Sequence, residues 1–165
     1  MVHSTHVLYD FKSDSHISDW KVVDDTVMGG KSSGNYHLSD NGHGVFHGSV
    51  SLENNGGFSS VRHRSESISL EGFNEFILKI KGDGKSYQFR VKDDVNNYYS
   101  YKTEFKTNGK WQEIHLKFSD FTPSFRGRTL DIPNFSGASI EEMTFLIANK
   151  ENENFRLELD QLSVK

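Results

Sequence analysis

A period-two alternation of apolar and polar side chains, returning in one segment after another, constrains this chain more than any other feature. Phe76, Leu78 and Ile80 share one parity, with Ile77 and Lys79 on the other. Tyr87, Phe89 and Val91 alternate with Gln88, Arg90 and Lys92. Ile114, Leu116 and Phe118 alternate with His115, Lys117 and Ser119, and Phe155, Leu157 and Leu159 with Arg156, Glu158 and Asp160. Successive side chains of a strand point to opposite faces, so each segment reads as a strand with one face in a core and one face wet. Residues 145–148 are apolar on both parities and read as a central strand.

Composition agrees with strands. Alanine, the best helix former, occurs only at Ala138 and Ala148, whereas there are 13 Phe, 6 Tyr and 14 Gly. Turn residues punctuate the strands. Gly82-Asp83-Gly84 and Asn108-Gly109 each read as a tight hairpin, and Asp40-Asn41-Gly42 and Asn54-Asn55-Gly56-Gly57 mark two more turns. Residues 93–97 read as a polar hairpin loop. Helix is confined to a short turn within residues 14–20 and another at Ser139-Ile140-Glu141-Glu142, which has capping-box spacing. About ten strands at regular spacing predict an all-β sandwich or barrel. No linker or repeat divides the 165 residues, so one domain is expected, with its core from about residue 7 to 164.

Most chemistry is excluded by what is missing. The formal net charge of −4 argues against bulk binding to nucleic acid. The chain has no Cys, hence no thiolate nucleophile, disulfide or cysteinyl metal site. Gly30-Lys31-Ser32 and Gly84-Lys85-Ser86 end like phosphate loops, but Asp25 and Lys79 stand where the leading glycine is required. His43 and His47 could seed a metal site, yet no third ligand is evident. Asp24, Asp25 and Glu53 are the carboxylates a hydrolase would use, and nothing frames them catalytically. The expectation is a protein that is not an enzyme and has no cofactor. A structural calcium ion in sandwich loops is compatible with the sequence but not signalled by it. Residues 1–6 read neither as a signal nor as a transit peptide, and no apolar run reaches membrane-span length, so a soluble, cytoplasmic protein is expected.

Three segments combine glycines with aromatic or charged side chains in a way that suggests contact with a ligand. The first runs from Trp20 through Asp25 and Met28 to Ser32, where Met28 is either an adaptable contact or a cap on the core. The second, residues 53–62, holds Asn55 and ends in Arg62, which either faces a ligand or lies on a solvated strand face. The third, residues 118–128, gathers Phe121, Phe125, Arg126 and Arg128, residue types enriched at interfaces and able to stack on a sugar ring. The same phenylalanines could equally plug the end of a sandwich.

In order and spacing these pieces resemble the complex I intermediate-associated protein 30 family. The matching runs are Trp20 with Asp24-Asp25-Thr26-Val27-Met28-Gly29-Gly30-Lys31-Ser32, then Phe46-His47-Gly48, Asn55 to Arg62, Gly82 to Tyr87, and Trp111 to Arg128. The resemblance covers about residues 8–163. It implies a galactose-binding-domain-like jelly-roll β-sandwich with very little helix. It also implies a non-enzymatic role in helping a respiratory or other multi-subunit complex assemble, with a carbohydrate-binding module as the alternative. The stretch Asn149 to Asn154 departs from it, standing where the family has a shorter, glycine-containing turn. The candidate partner- or ligand-binding residues are Trp20, Asp25, Met28, Asn55, Arg62, Phe121, Phe125, Arg126 and Arg128. A protein partner is expected and a saccharide is the alternative ligand. Nucleic acid is not expected, and the chain is read as a monomer or a weak dimer paired at a sheet edge.

Overall fold

The computed structural model describes residues 5–165, apart from the side chains of Val27, Met28 and Asn55. In chain order the strands are β1 (His6–Asp10), β2 (Lys21–Asp24), β3 (Ser33–Leu38), β4 (Gly44–Val50), β5 (Ser59–Ser69), β6 (Glu75–Lys81) and β7 (Ser86–Lys92). They continue as β8 (Ser100–Lys106), β9 (Trp111–Lys117), β10 (Thr122–Phe125), β11 (Arg128–Thr129), β12 (Ser139–Ile147) and β13 (Glu153–Val164). One sheet has the order β3-β4-β13-β6-β9, with β1 also on β13. The other has seven strands in the order β11-β10-β8-β7-β12-β5-β2. Neighbours are antiparallel throughout, and the two sheets form a jelly-roll β-sandwich.

The alternation in the sequence becomes the seam between the sheets. Phe76, Leu78 and Ile80 of β6 are fully buried against Tyr87, Phe89 and Val91 of β7 and Phe145 of β12. Phe76 sits at the centre of a ring cluster, 5.2 Å from Phe89, 4.7 Å from Phe118 and 5.3 Å from Phe121, in tilted and edge-on geometries that favour aromatic pairs. Ile77, expected on the wet face, is also buried. The strand assigned to residues 145–148 is β12, central between β7 and β5.

The turns depart from the sequence reading in an instructive way. Asp40-Asn41-Gly42 does close the β3–β4 hairpin, and residues 93–97 close β7–β8. Gly82-Asp83-Gly84 and Asn108-Gly109 close no hairpin, because β6 and β9 lie in one sheet and β7 and β8 in the other. Both are crossings at the same end of the sandwich, and they bond to each other. The Gly84 amide donates to Thr107 Oγ1 at 3.0 Å, and Thr107 Oγ1 donates to the Lys85 carbonyl at 2.8 Å. A Cβ on Gly82 would lie 2.3 Å from the Thr107 side chain, so glycine is required by this close approach rather than by a hairpin. Ser139 to Glu142, read as a helical turn, instead opens β12, where pairing on both sides outweighs local capping chemistry. The turn within residues 14–20 is present as a 3-10 turn, Ile17–Asp19.

Phe89→Ala is expected to lower unfolding stability by about 3–5 kcal/mol, the range for emptying a fully buried ring site. The check is the midpoint of urea denaturation against wild type.

Candidate functional site

The parity that buries one face of the seven-stranded sheet orders the other face into rows. Cross-strand partners share a face. One row therefore runs Lys21 (β2), Arg62 (β5), Thr144 (β12), Arg90 (β7), Lys102 (β8) and Thr122 (β10). The row on one side holds Arg64, Glu142 and Lys92, and the row on the other holds Val23, Ser60, Leu146, Gln88 and Glu104. These three rows carry six cations against two carboxylates, in a chain whose net charge is −4. The charge sum hides this because it is a global quantity, whereas a binding field is local.

A groove of about 810 Å³ runs along this face. Gln88, Arg90, Lys102 and Glu104 form its polar floor, and Leu146 and Ala148 its apolar floor. Leu52, Gly56, Gly57 and Phe58 wall one side, and Phe125, Arg126, Gly127 and Lys150 complete the rim.

Arg90 is the least expected charge. It is partly buried, and its contacts are neutral. Its Nε and Nη2 donate to Gln88 Oε1 at 2.9 and 2.7 Å, and Nη1 donates to Ser100 Oγ at 3.4 Å. Burial pulls its pKa below the ordinary guanidinium value. Lys102, opposite Arg90, is lowered by burial and by the Arg90 charge, while Glu104 raises it. Lys92 is lowered chiefly by burial, with Arg64 and Arg62 adding to that and Glu142 opposing it. Of the six cations, Arg64 has a carboxylate at ion-pair distance, Glu142 at 2.7 Å. Lys92 Nζ donates instead to the Asn97 carbonyl at 2.7 Å.

The rim is strained. Arg126 (φ 50°) and Lys150 (φ 60°) adopt the left-handed backbone conformation that favours glycine. Arg126 and Gly127 form the two-residue turn between Phe125 and Arg128, and the Arg126 guanidinium lies 5.1 Å above the Phe125 ring. Lys150 stands in the turn between β12 and β13.

The apolar wall is positioned by Asp25. This carboxylate is buried and accepts from the amides of Ser32 (3.0 Å), Gly57 (2.6 Å) and Phe58 (3.2 Å) and from Ser32 Oγ (2.5 Å). Burial pushes its pKa up, but the hydrogen bonds from Ser32, Gly57 and Phe58 outweigh that and hold it below the ordinary carboxylate value. Asp24 accepts from the Gly34 amide at 2.8 Å and from Ser59 Oγ, so both acidic residues bind this chain's own backbone and side chains.

The residues singled out in the sequence thus divide. Phe125 and Arg126 line the groove, and Arg62 lies on the same face in the cationic row. Arg128 is exposed in β11, beyond the groove lining. Three assignments are corrected. Trp20 is buried among Tyr9, Phe11, His63 and Phe145, Phe121 is fully buried beside Phe76 and Phe89, and Asp25 is sealed by its own donors, so none is open to a ligand. Met28 and Asn55 fall outside the described side chains. Sequence reading missed Gln88, Arg90 and Lys102, although the alternation of β7 already put the first two outside. Among the described residues no group of three or more His, Asp or Glu could hold a metal ion. His43 instead packs at a tilt against Trp111 at 4.5 Å, and His47 meets His37 edge-on at 5.1 Å.

The sequence model of a family described as complex I intermediate-associated protein 30 matches residues 9–159. The mitochondrial complex I intermediate-associated protein 30 of Drosophila melanogaster is 28% identical over 149 residues, covering 77% of this chain and 50% of that protein. That of Mus musculus is 24% identical over 187 residues, covering 99% of this chain and 57% of that protein. The chain spans about half the length of these curated relatives. Among solved structures, a family 11 carbohydrate-binding module from Clostridium thermocellum in complex with a β-1,3-1,4-mixed-linked tetrasaccharide superposes with a TM-score of 0.67 at 15% identity. The match covers 97% of this chain and 94% of that one. An exo-β-agarase superposes with a TM-score of 0.60 at 13% identity, covering 97% of this chain and 25% of that one. These likenesses show the fold.

Two substitutions check the site's supports. Asp25→Asn leaves buried amides facing a carboxamide and is expected to lower stability at neutral pH by about 1–3 kcal/mol in urea titration. Because folding lowers the Asp25 pKa, its ionised form stabilises the fold above the unfolded carboxylate value of about 3.9, and that stabilisation is lost as pH falls through the folded value. The gap between wild type and Asp25→Asn should therefore narrow in acid. Arg126→Gly is expected to raise the urea midpoint, by about 1 kcal/mol of relieved left-handed strain.

Proposed function

The chain belongs to the complex I intermediate-associated protein 30 family, and on that premise we propose that it is a non-catalytic binding domain that helps a multi-subunit respiratory complex assemble. The groove on the seven-stranded sheet is its docking site for a segment of a subunit or partner. The observation that carries this reading is the groove's make-up: an open trough floored by strands, with apolar and cationic halves. Such a surface is suited to recognition: among the described residues its lining holds no nucleophile–base pair of the kind acyl or glycosyl transfer needs. Asp24 and Asp25, two of the three carboxylates a hydrolase would use, bind backbone amides and serine hydroxyls of the chain itself.

A saccharide is the second reading, favoured by Tyr98, which is 65% exposed and stands edge-on to Phe125 at 5.0 Å beside the groove. Against it, the lining sets four cations, Arg90, Lys102, Arg126 and Lys150, against the single carboxylate of Glu104 and offers no flat aromatic platform, and a neutral sugar leaves Arg90 without a counter-charge.

Deleting the gene in its own organism and resolving respiratory complexes on native gels tests the proposal. Subassemblies are expected to accumulate, and the wild-type chain should restore the mature complex. Normal assembly without the chain overturns the reading. Calorimetry with mixed-linkage β-glucan and agaro-oligosaccharides at millimolar concentration is expected to show no heat, and heat from either would favour the saccharide.

A further inference from the structure

Lys21 faces Arg62, and Arg90 faces Lys102, directly across strand pairs. Like charges opposed in this way destabilise a sheet. Arg90 and Lys102 are also partly withdrawn from water, and among the described residues neither lies at ion-pair distance from a carboxylate. Two further cations, Arg126 and Lys150, stand on the rim in a backbone conformation that opposes their side chains. Arg90, Lys102, Arg126 and Lys150, from four separate segments, thus hold positive charge around one groove against local cost, with Glu104 the one carboxylate in its lining. Resting on the binding-domain reading above, we infer that the groove takes an acidic segment of a protein partner, in extended conformation, whose carboxylates lie along the Arg62–Arg90–Lys102 row.

Three properties of the groove favour a peptide over other anions. Leu146, Phe58 and Leu52 stand beside the cations, so the ligand presents an apolar side chain next to its carboxylates, which a uronate polymer or inorganic phosphate lacks. Gln88 holds the Nε–Nη2 edge of Arg90 and so fixes the guanidinium plane, which leaves one further hydrogen on each of Nη1 and Nη2 for a carboxylate. The chain's overall negative charge repels a long polyanion beyond the row, while a short acidic segment meets only the basic face.

The test is selection of random twelve-residue displayed peptides on the purified wild-type chain and on the Arg62→Gln/Arg90→Gln/Lys102→Gln variant. Fluorescence anisotropy of the selected peptides at about 50 and 500 mM salt follows. Wild type is expected to enrich peptides that pair Asp or Glu with Leu or Phe. Their affinity should fall at least about tenfold in the variant and fall again at high salt. Peptides without acidic enrichment, or with equal affinity for both proteins, overturn the inference. So does retention by wild type, but not by the variant, of phosphatidylserine/phosphatidylcholine vesicles, oligo(dT) or polygalacturonate when no peptide is selected. If the triple variant does not fold, Lys102→Gln alone and the wild-type salt dependence decide, and salt-insensitive binding sinks the idea. The two readings fail separately. A triple variant that restores respiratory assembly as wild type does removes this inference and leaves the assembly role. Acidic peptides that bind a chain whose deletion leaves assembly normal remove the assembly role alone.

Discussion

The whole molecule turns on the coupling of two faces through a single backbone parity. In β7, burying Tyr87, Phe89 and Val91 obliges Gln88, Arg90 and Lys92 to point outward. A slip of one residue would put guanidinium in the core and phenylalanine in the groove. The aromatic seam around Phe76 and Phe89 therefore does more than hold two sheets together: it sets the register that aligns cations from β2, β5, β7 and β8 into one row. Core and site are two readings of the same alternation.

Charge is treated differently on the two sides of the groove. At the apolar wall, Asp25 is a buried anion with four hydrogen-bond donors around it, so its desolvation is offset within the chain. On the floor, Arg90 has neutral acceptors only, and Lys102 stands beside another cation. The first arrangement is complete without a ligand, and the second gains when an anion arrives. That contrast separates the acidic pair at Asp24 and Asp25, whose partners are all within the chain, from Arg90 and Lys102, which have no carboxylate at ion-pair distance among the described residues.

Much of this was legible in the chain itself. Strand faces followed from parity, and Arg62, Phe125 and Arg126 were found because glycine-rich and aromatic neighbours marked their segments. Trp20 and Phe121 carried the same signal for a different reason: both rings are buried in the sandwich core, where a large aromatic beside a turn contributes apolar area rather than contact with a ligand. Gly82-Asp83-Gly84 and Asn108-Gly109 have hairpin chemistry, yet they cross between sheets, because turn residues specify local dihedral angles and not the strand that comes next.

The sequence by itself determined that the chain is built of strands, which side chains alternate toward the core in most of them, and that the net charge is −4. Only the tertiary structure decided that Lys21, Arg62, Arg90 and Lys102 stand at one level, and that Gly57 and Phe58 are drawn to Asp25 to wall the groove. The physical reason is the range of the interactions. Parity is local, fixed by successive peptide units. Row alignment is set largely by pairings between strands far apart in sequence, where β12 lies between β5 and β7 and joins them, and no short window of the chain contains Arg62 together with Arg90 and Thr144.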